Sequence, residues 1–80
     1  MVKNDGAETR RQRISQIARM IQATLHESKN EEISLSRLIG TVMYQMGLTK
    51  EKVMEYVEII QTMGQCELDV VNDKIRRPQV

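Results

Sequence analysis

Basic residues form two clusters that can bind a polyanion, one near each end of the 80-residue chain. The clusters are Arg10, Arg11 and Arg13 near the start and Lys74, Arg76 and Arg77 near the end. Residues 31–73 between them hold three bases against eight acids, although the whole chain has a net charge of +1. Such clusters can neutralise phosphate groups, with an affinity that falls as the salt concentration rises. The alternative is that these cations only keep the protein soluble.

A row of carboxylates crosses the acidic middle of the chain. Glu51, Glu55 and Glu58 are spaced to share one face of a helix, opposite the apolar Val53 and Val57. The carboxylates on this face can be solvated, with ion pairs to nearby lysines that stabilise the helix. Alternatively, they can bind a basic protein surface. A third interpretation is base contact, since a glutamate can accept a hydrogen bond from a cytosine amino group.

One cysteine and one histidine are too few for a disulfide framework or a Cys/His zinc cluster. We interpret Cys66 as a small buried hydrophobe rather than a redox sensor. His26 is interpreted as a cation at a helix C-terminus rather than a base or ligand. The sequence contains no glycine-rich phosphate loop and no nucleophile–base arrangement. We therefore expect no enzymatic activity, no metal and no cofactor.

Hydrophobic residues make up 40% of the chain and charged residues 29%, which is typical of one folded domain. The core must be aliphatic, because the chain has two tyrosines and neither phenylalanine nor tryptophan. This scarcity argues against a nucleic-acid module that stacks bases on aromatic rings. No apolar run approaches the roughly 20 residues of a membrane span, so we expect a cytoplasmic protein.

Apolar spacing predicts three helices in a single domain of residues 8–77, flanked by tails at 1–7 and 78–80. The helices are predicted over residues 8–26, 36–46 and 50–63, with a polar linker at 27–32 and a very short strand at Ile33 and Leu35. Their predicted inward residues are Ile14, Ile17, Ala18, Ile21, Leu25, Leu38, Ile39, Val42, Met43, Met46, Val53, Tyr56, Val57, Ile60 and Met63.

Capping residues mark the predicted helix ends. Ser34 or Ser36 can cap the second helix, and Thr49 can cap the third. Gly47 follows the second helix at a position that favours left-handed backbone. Gly40 interrupts that helix at a cost of about 1 kcal/mol against alanine, which suggests a close helix contact there.

The last segment combines strand alternation with turn residues. Apolar and polar residues alternate over 66–70, and Asn72-Asp73 then supplies two residues that tolerate left-handed backbone. We predict a hairpin over residues 66–77 in which Val70 faces Ile75 across the strands. The alternative is a fourth helix, because three apolar residues of this segment also fit helical spacing.

The order helix, short strand, helix, tight turn, helix, hairpin is similar to that of a winged helix-turn-helix domain. The run Leu35–Ile39, the turn Met46-Gly47-Leu48-Thr49 and the helix that ends at Met63-Gly64 resemble the family's pattern. In that pattern the recognition helix ends at a glycine before the hairpin, which is called the wing. The resemblance covers residues 14–77 and is nearest to small archaeal and bacterial regulators.

The resemblance implies a mostly α domain with a small β-hairpin that binds double-stranded DNA. The third helix would lie in the major groove, and the wing would contact the backbone or minor groove. The sites that the family implies are Thr49, Lys50, Glu51, Lys52 and Glu55 on the third helix and Lys74, Arg76 and Arg77 on the wing. Further phosphate candidates are Arg10, Arg11, Arg13 and Arg37.

Three glutamates depart from the basic and amide side chains usual on a recognition helix. Protein recognition through an acidic third helix is therefore the alternative function, and an all-helical interaction domain is a third possibility. Under the leading hypothesis we expect a transcriptional regulator that forms a homodimer. The first helix is the expected dimer interface, with Met20 and Thr24 beside its core stripe.

Overall fold

The computed structural model describes residues 6–29 and 31–78, which form three helices and three short strands in the predicted order. The elements are α1 (Gly6–Glu27), β1 (Glu32–Ser34), α2 (Leu35–Met46), α3 (Lys50–Thr62), β2 (Glu67–Asp69) and β3 (Lys74–Arg76). The predicted tails fall partly on residues 1–5 and 79–80, which lie outside the described residues. Gly6 already belongs to α1, two residues before the predicted start of that helix.

Helix α1 buries the stripe that its spacing predicts. Ile17 and Ile21 are completely buried, and Ala18 and Leu25 lie beside them in the core. Ile14, one turn closer to the start of the helix, is half-buried against the same cluster. The amphipathic pattern therefore positions Arg10, Arg11 and Arg19 toward solvent, whereas Arg13 is half-buried.

Helix α2 begins one residue earlier than predicted, because Ser34 is its N-cap. The Ser34 hydroxyl accepts a hydrogen bond from the Arg37 backbone N–H at 3.2 Å, so Leu35 is helical rather than part of the strand. Met43 was predicted to point inward, but its side chain is 36% exposed. The buried stripe of α2 is complete without it and consists of Leu35, Leu38, Ile39 and Val42.

The turn between α2 and α3 follows the sequence prediction. Gly47 has a φ of 67° and donates its backbone N–H to the Met43 carbonyl at 2.9 Å. Thr49 then caps α3 by accepting from the Lys52 backbone N–H at 3.2 Å. The close contact predicted at Gly40 is wrong, since a Cβ added there would meet nothing within 4 Å.

Helix α3 buries Val53, Tyr56, Val57 and Ile60 as predicted, but Met63 is 57% exposed. Met63 follows the last residue of α3, and the chain reverses direction at Gly64, where φ is 80°. The helical periodicity that would turn Met63 inward therefore ends before that residue.

The C-terminal segment forms the predicted hairpin, and the alternative of a fourth helix is wrong. The strands form an antiparallel sheet in the order β1-β3-β2, so β3 lies in the middle. The predicted pairing of Val70 with Ile75 is wrong by two residues, because Ile75 pairs with Leu68 and also with Ile33. The connection is a four-residue turn over 70–73 rather than the pair Asn72-Asp73 alone.

The core lies between the three helices and the inner face of the sheet. Ile75 is the central sheet residue and is completely buried, with Ile33 and Leu68 partly buried on either side of it. The described residues therefore form a mostly helical domain with a small antiparallel sheet, a layout compatible with a winged helix.

Candidate nucleic-acid interface

Cations from two helices meet on the exposed side of α3. Arg10 of α1 contacts Glu55 of α3, with 2.8 Å between Nη2 and Oε2. Lys52, one turn before Glu55, contacts its other oxygen, with 3.5 Å between Nζ and Oε1. We call Arg10, Lys52 and Glu55 the Glu55 cluster. The cluster brings together residues 45 positions apart in the sequence.

The Glu55 cluster is accessible to a ligand. The side chains of Arg10, Lys52 and Glu55 are 51%, 47% and 44% exposed. Ion pairs in this range of exposure contribute about 0–1 kcal/mol, because water screens them. A competing anion can therefore take the place of Glu55. The cluster itself carries a net charge of +1 and lies next to the exposed Lys50, Glu51 and Glu58.

The start of α3 adds a further cation next to the cluster. Lys50 is the first residue of α3 and is exposed. Thr49 uses its hydroxyl to cap the helix, so its role in the described structure is to fix the orientation of α3. The N-terminal ends of helices carry a partial positive charge, which adds to that of Lys50 and Lys52.

The cations of the hairpin already have partners. Glu32 of β1 contacts both Lys74, at 3.7 Å, and Arg76, at 3.0 Å. Arg76 also contacts Asp69 across the hairpin at 3.0 Å. The hydrogen bonds that Arg76 donates to Glu32 and Asp69 raise its pKa, and they fasten β1 and β2 to the central strand.

Arg77, just after β3, has a weaker partner. Its Nε lies 3.6 Å from Oε1 of Glu31, and both side chains are about half exposed or more, at 48% and 65%. Of the predicted wing cations, Arg77 is therefore the one that an incoming phosphate can approach most easily. Lys74 and Arg76 lie along the sheet rather than at its tip.

Asp73 fastens the hairpin turn to the start of α2. Its carboxylate accepts hydrogen bonds from the Ser36 hydroxyl at 2.7 Å, the Ser36 backbone N–H at 3.0 Å and the Ser34 hydroxyl at 3.0 Å. Its carbonyl accepts from the Leu35 N–H at 3.0 Å. These bonds satisfy N–H groups that a helix start leaves without partners, and they lower the pKa of the Asp73 carboxyl.

The tip of the hairpin is apolar. Val70 and Val71 are 64% and 94% exposed, whereas the turn around them is held in place. Asn72 donates its backbone N–H and its side-chain amide to the Asp69 carboxylate, at 3.1 and 2.8 Å, and these bonds lower the pKa of Asp69. The tip therefore presents two valines, and the predicted wing cations Lys74 and Arg76 lie on β3.

The other predicted phosphate contacts lie on α1 and α2. Arg11 is exposed on the outer face of α1, and Arg13 is half-buried on the same helix. Arg37 is exposed in the first turn of α2, where it borders a groove that also contains Met20 and Thr24. The homodimer predicted through α1 stays a prediction.

Two glutamates of α3 have no cation partner among the described residues. Glu51 and Glu58 are exposed and form no ion pair with any described residue. They border a shallow depression around the half-buried Met54. By its spacing, Glu55 belongs to the same helix face as these two glutamates, and only its ion pairs in the structure distinguish it.

Cys66 and His26, the single cysteine and histidine of the chain, are not part of the Glu55 cluster. Cys66 is buried, and this burial raises the pKa of its thiol to about 11. His26 is exposed in the last turn of α1. Within residues 6–29 and 31–78, no group of His, Cys, Asp or Glu is arranged to hold a metal ion.

Comparisons with known proteins give no assignment. No family model, no curated protein and no solved structure matches this chain. In the described part of the chain, every helix is too short or too polar to cross a membrane.

Proposed function

We propose that this domain binds double-stranded DNA, with α3 directed at the major groove. The proposal rests on one observation: Arg10 of α1 and Lys52 of α3 meet on the exposed side of α3, next to Lys50. An α-helix fits the major groove, and cations at its border contact the flanking phosphates. The mostly helical layout with a small antiparallel sheet is compatible with this arrangement.

The affinity of such a surface is largely electrostatic. Each phosphate that a lysine or arginine neutralises steepens the dependence of log K on log salt by about 0.9. Contacts from Arg10, Lys50 and Lys52 would give a slope of about −2.7. Sequence-specific binding, and with it transcriptional regulation, would need base contacts in addition to these.

A pair of double variants tests where DNA binds. Lys50→Gln with Lys52→Gln removes two cations at the start of α3. The matched control, Arg19→Gln with Lys29→Gln, removes one exposed cation on α1 and one just after it. Fluorescence anisotropy with a labelled random-sequence duplex measures the slope of log K against log salt. This slope should become shallower by about 1.8 for the Lys50→Gln and Lys52→Gln variant only. An equal reduction of the slope in both double variants would contradict a DNA-binding site at α3.

The hairpin contributes to the proposed interface through Arg77. Arg77→Gln removes the most exposed cation of the hairpin and leaves the Arg76 contacts intact. We expect the slope of log K against log salt to become shallower by about 0.9. The loss of affinity should be equal for all DNA sequences. Arg76 is unsuitable for this test, since its loss also removes the contacts that fasten the three strands.

Protein recognition is a second candidate, and the exposed Glu51 and Glu58 beside Met54 favour it. Carboxylates on a groove-facing helix repel phosphate, whereas they attract a basic protein surface. Glu51→Gln with Glu58→Gln separates the candidates. The double variant should bind DNA more tightly if α3 faces the duplex. It should lose binding of a lysine-rich peptide if α3 faces a protein.

A further inference from the structure

We propose that Glu55 competes with DNA phosphate for Arg10 and Lys52, and so holds the affinity of the domain below what its cations allow. The proposal rests on the proposed DNA binding and adds an internal control of that site. Glu55 would act as a built-in substitute for a phosphate group, occupying both cations when no DNA is present.

The contacts of Glu55 give it this role. Each carboxylate oxygen has its own cation, Oε2 with Arg10 at 2.8 Å and Oε1 with Lys52 at 3.5 Å. Lys52 Nζ also lies 5.8 Å from the centre of the Tyr56 ring, which helps to keep the amine close to α3. A single side chain therefore gathers two cations from two helices on the surface proposed to face the duplex.

Exchange of Glu55 for phosphate is physically easy. All three side chains are about half exposed, so water screens their attraction. The exchange nevertheless has a cost, because Glu55 loses both partners and its own charge then faces the phosphates. Removal of that charge should make both cations fully available to DNA.

Glu58 supplies a matched control for Glu55. Both glutamates lie on α3 within one turn of each other, and Glu58 pairs with no cation among the described residues. Glu55→Gln and Glu58→Gln remove the same charge, so both relieve repulsion of phosphate. Only Glu55→Gln also releases Arg10 and Lys52.

The experiment compares the two variants with the wild-type chain by anisotropy on the same random-sequence duplex. At about 0.1 M salt Glu55→Gln should bind the duplex about fivefold more tightly than Glu58→Gln, because Arg10 and Lys52 then reach phosphate without first losing their contacts with Glu55. This affinity advantage should shrink toward about 0.4 M salt, since salt screens the ion pairs that the Glu58→Gln variant must break. Circular dichroism shows whether each variant is folded.

Arg10→Gln completes the test as a double-mutant cycle. In the wild type it should change DNA affinity little at about 0.1 M salt, because the lost phosphate contact is offset by the contact with Glu55 that no longer has to break. In the Glu55→Gln background it should weaken binding clearly, because nothing offsets the lost phosphate contact. Equal effects of Arg10→Gln in both backgrounds would overturn the proposal.

The remaining outcomes separate this inference from the proposed function. Equal DNA affinities of Glu55→Gln and Glu58→Gln at about 0.1 M salt, beside a wild type that binds DNA, would overturn the inference alone. Weaker binding by Glu55→Gln than by the wild type would also overturn it. Binding by Glu55→Gln that depends on Arg10, without binding by the wild type, would support the inference and contradict the proposed function. No binding by any variant would overturn both.

Discussion

Gly47 and Gly40 offer a stability test in which the same substitution should act in opposite directions. Both glycines belong to the region of α2 that leads to α3, and a Cβ added at either would meet nothing within 4 Å. They differ in backbone conformation, since Gly47 has a φ of 67° and Gly40 is helical. Replacement by alanine therefore measures the left-handed turn without a steric clash.

The expected magnitudes follow from the backbone. Alanine in the left-handed region costs about 1–2 kcal/mol, and the reduced freedom of the unfolded chain offsets about 0.4–1 kcal/mol of that. Gly47→Ala should thus destabilise the domain by about 1 kcal/mol. Gly40→Ala should stabilise it by about 0.5–1 kcal/mol, because alanine is the better helix former.

Urea unfolding followed by circular dichroism measures both variants. With a slope m of about 1 kcal/mol/M for a small domain, the two unfolding midpoints should differ by about 2 M. For 80 residues, 1 kcal/mol also corresponds to roughly 6 °C in Tm. A neutral or stabilising Gly47→Ala would refute the left-handed turn that orients α3. A destabilising Gly40→Ala would show that something contacts this face of α2.

Three further predictions concern the sheet, the thiol and the hairpin turn. Ile75→Ala should destabilise the fully buried centre of the sheet by about 2–5 kcal/mol in urea unfolding, against about 0.5–1.5 for Ile75→Val. Cys66, with its pKa raised to about 11 by burial, should react slowly with iodoacetamide at pH 8, and unfolding should restore the ordinary rate. The lowered pKa of Asp73 means that its stabilisation is present above the pKa of the unfolded chain and disappears as pH falls through the folded value. As pH falls, the free energy of unfolding should therefore decrease less steeply for Asp73→Asn than for the wild type. Parallel plots of this free energy against pH would show that Asp73 does not fasten the turn.

Features set within one or two helical turns were predictable from the sequence. Thr49 caps α3, and Gly47 has positive φ, because both positions depend on neighbouring backbone groups. The buried stripe of α1 follows from its periodicity. The prediction that Met43 points inward is wrong because periodicity alone cannot show where a buried stripe is already complete. The prediction for Met63 is wrong because α3 ends before that residue.

Features set by distant contacts were not predictable. The hairpin itself followed from alternation, but its register depends on Asp73, whose carboxylate and carbonyl bind the start of α2. Nothing local indicates that this aspartate serves a helix 37 residues earlier. The contact between Arg10 and Glu55 spans 45 residues, so the sequence showed three similar glutamates where the structure shows one paired and two unpaired among the described residues.

The salt dependence of binding to a random-sequence DNA duplex tests the proposed function most directly. The wild-type chain should bind, and log K should fall with log salt with a slope of about −2.7 or steeper, since at least three cations at α1 and α3 would neutralise phosphates. The Lys50→Gln and Lys52→Gln double variant should reduce that slope by about 1.8. Absence of binding at about 50 mM salt, or a slope near zero, would contradict DNA binding by this domain.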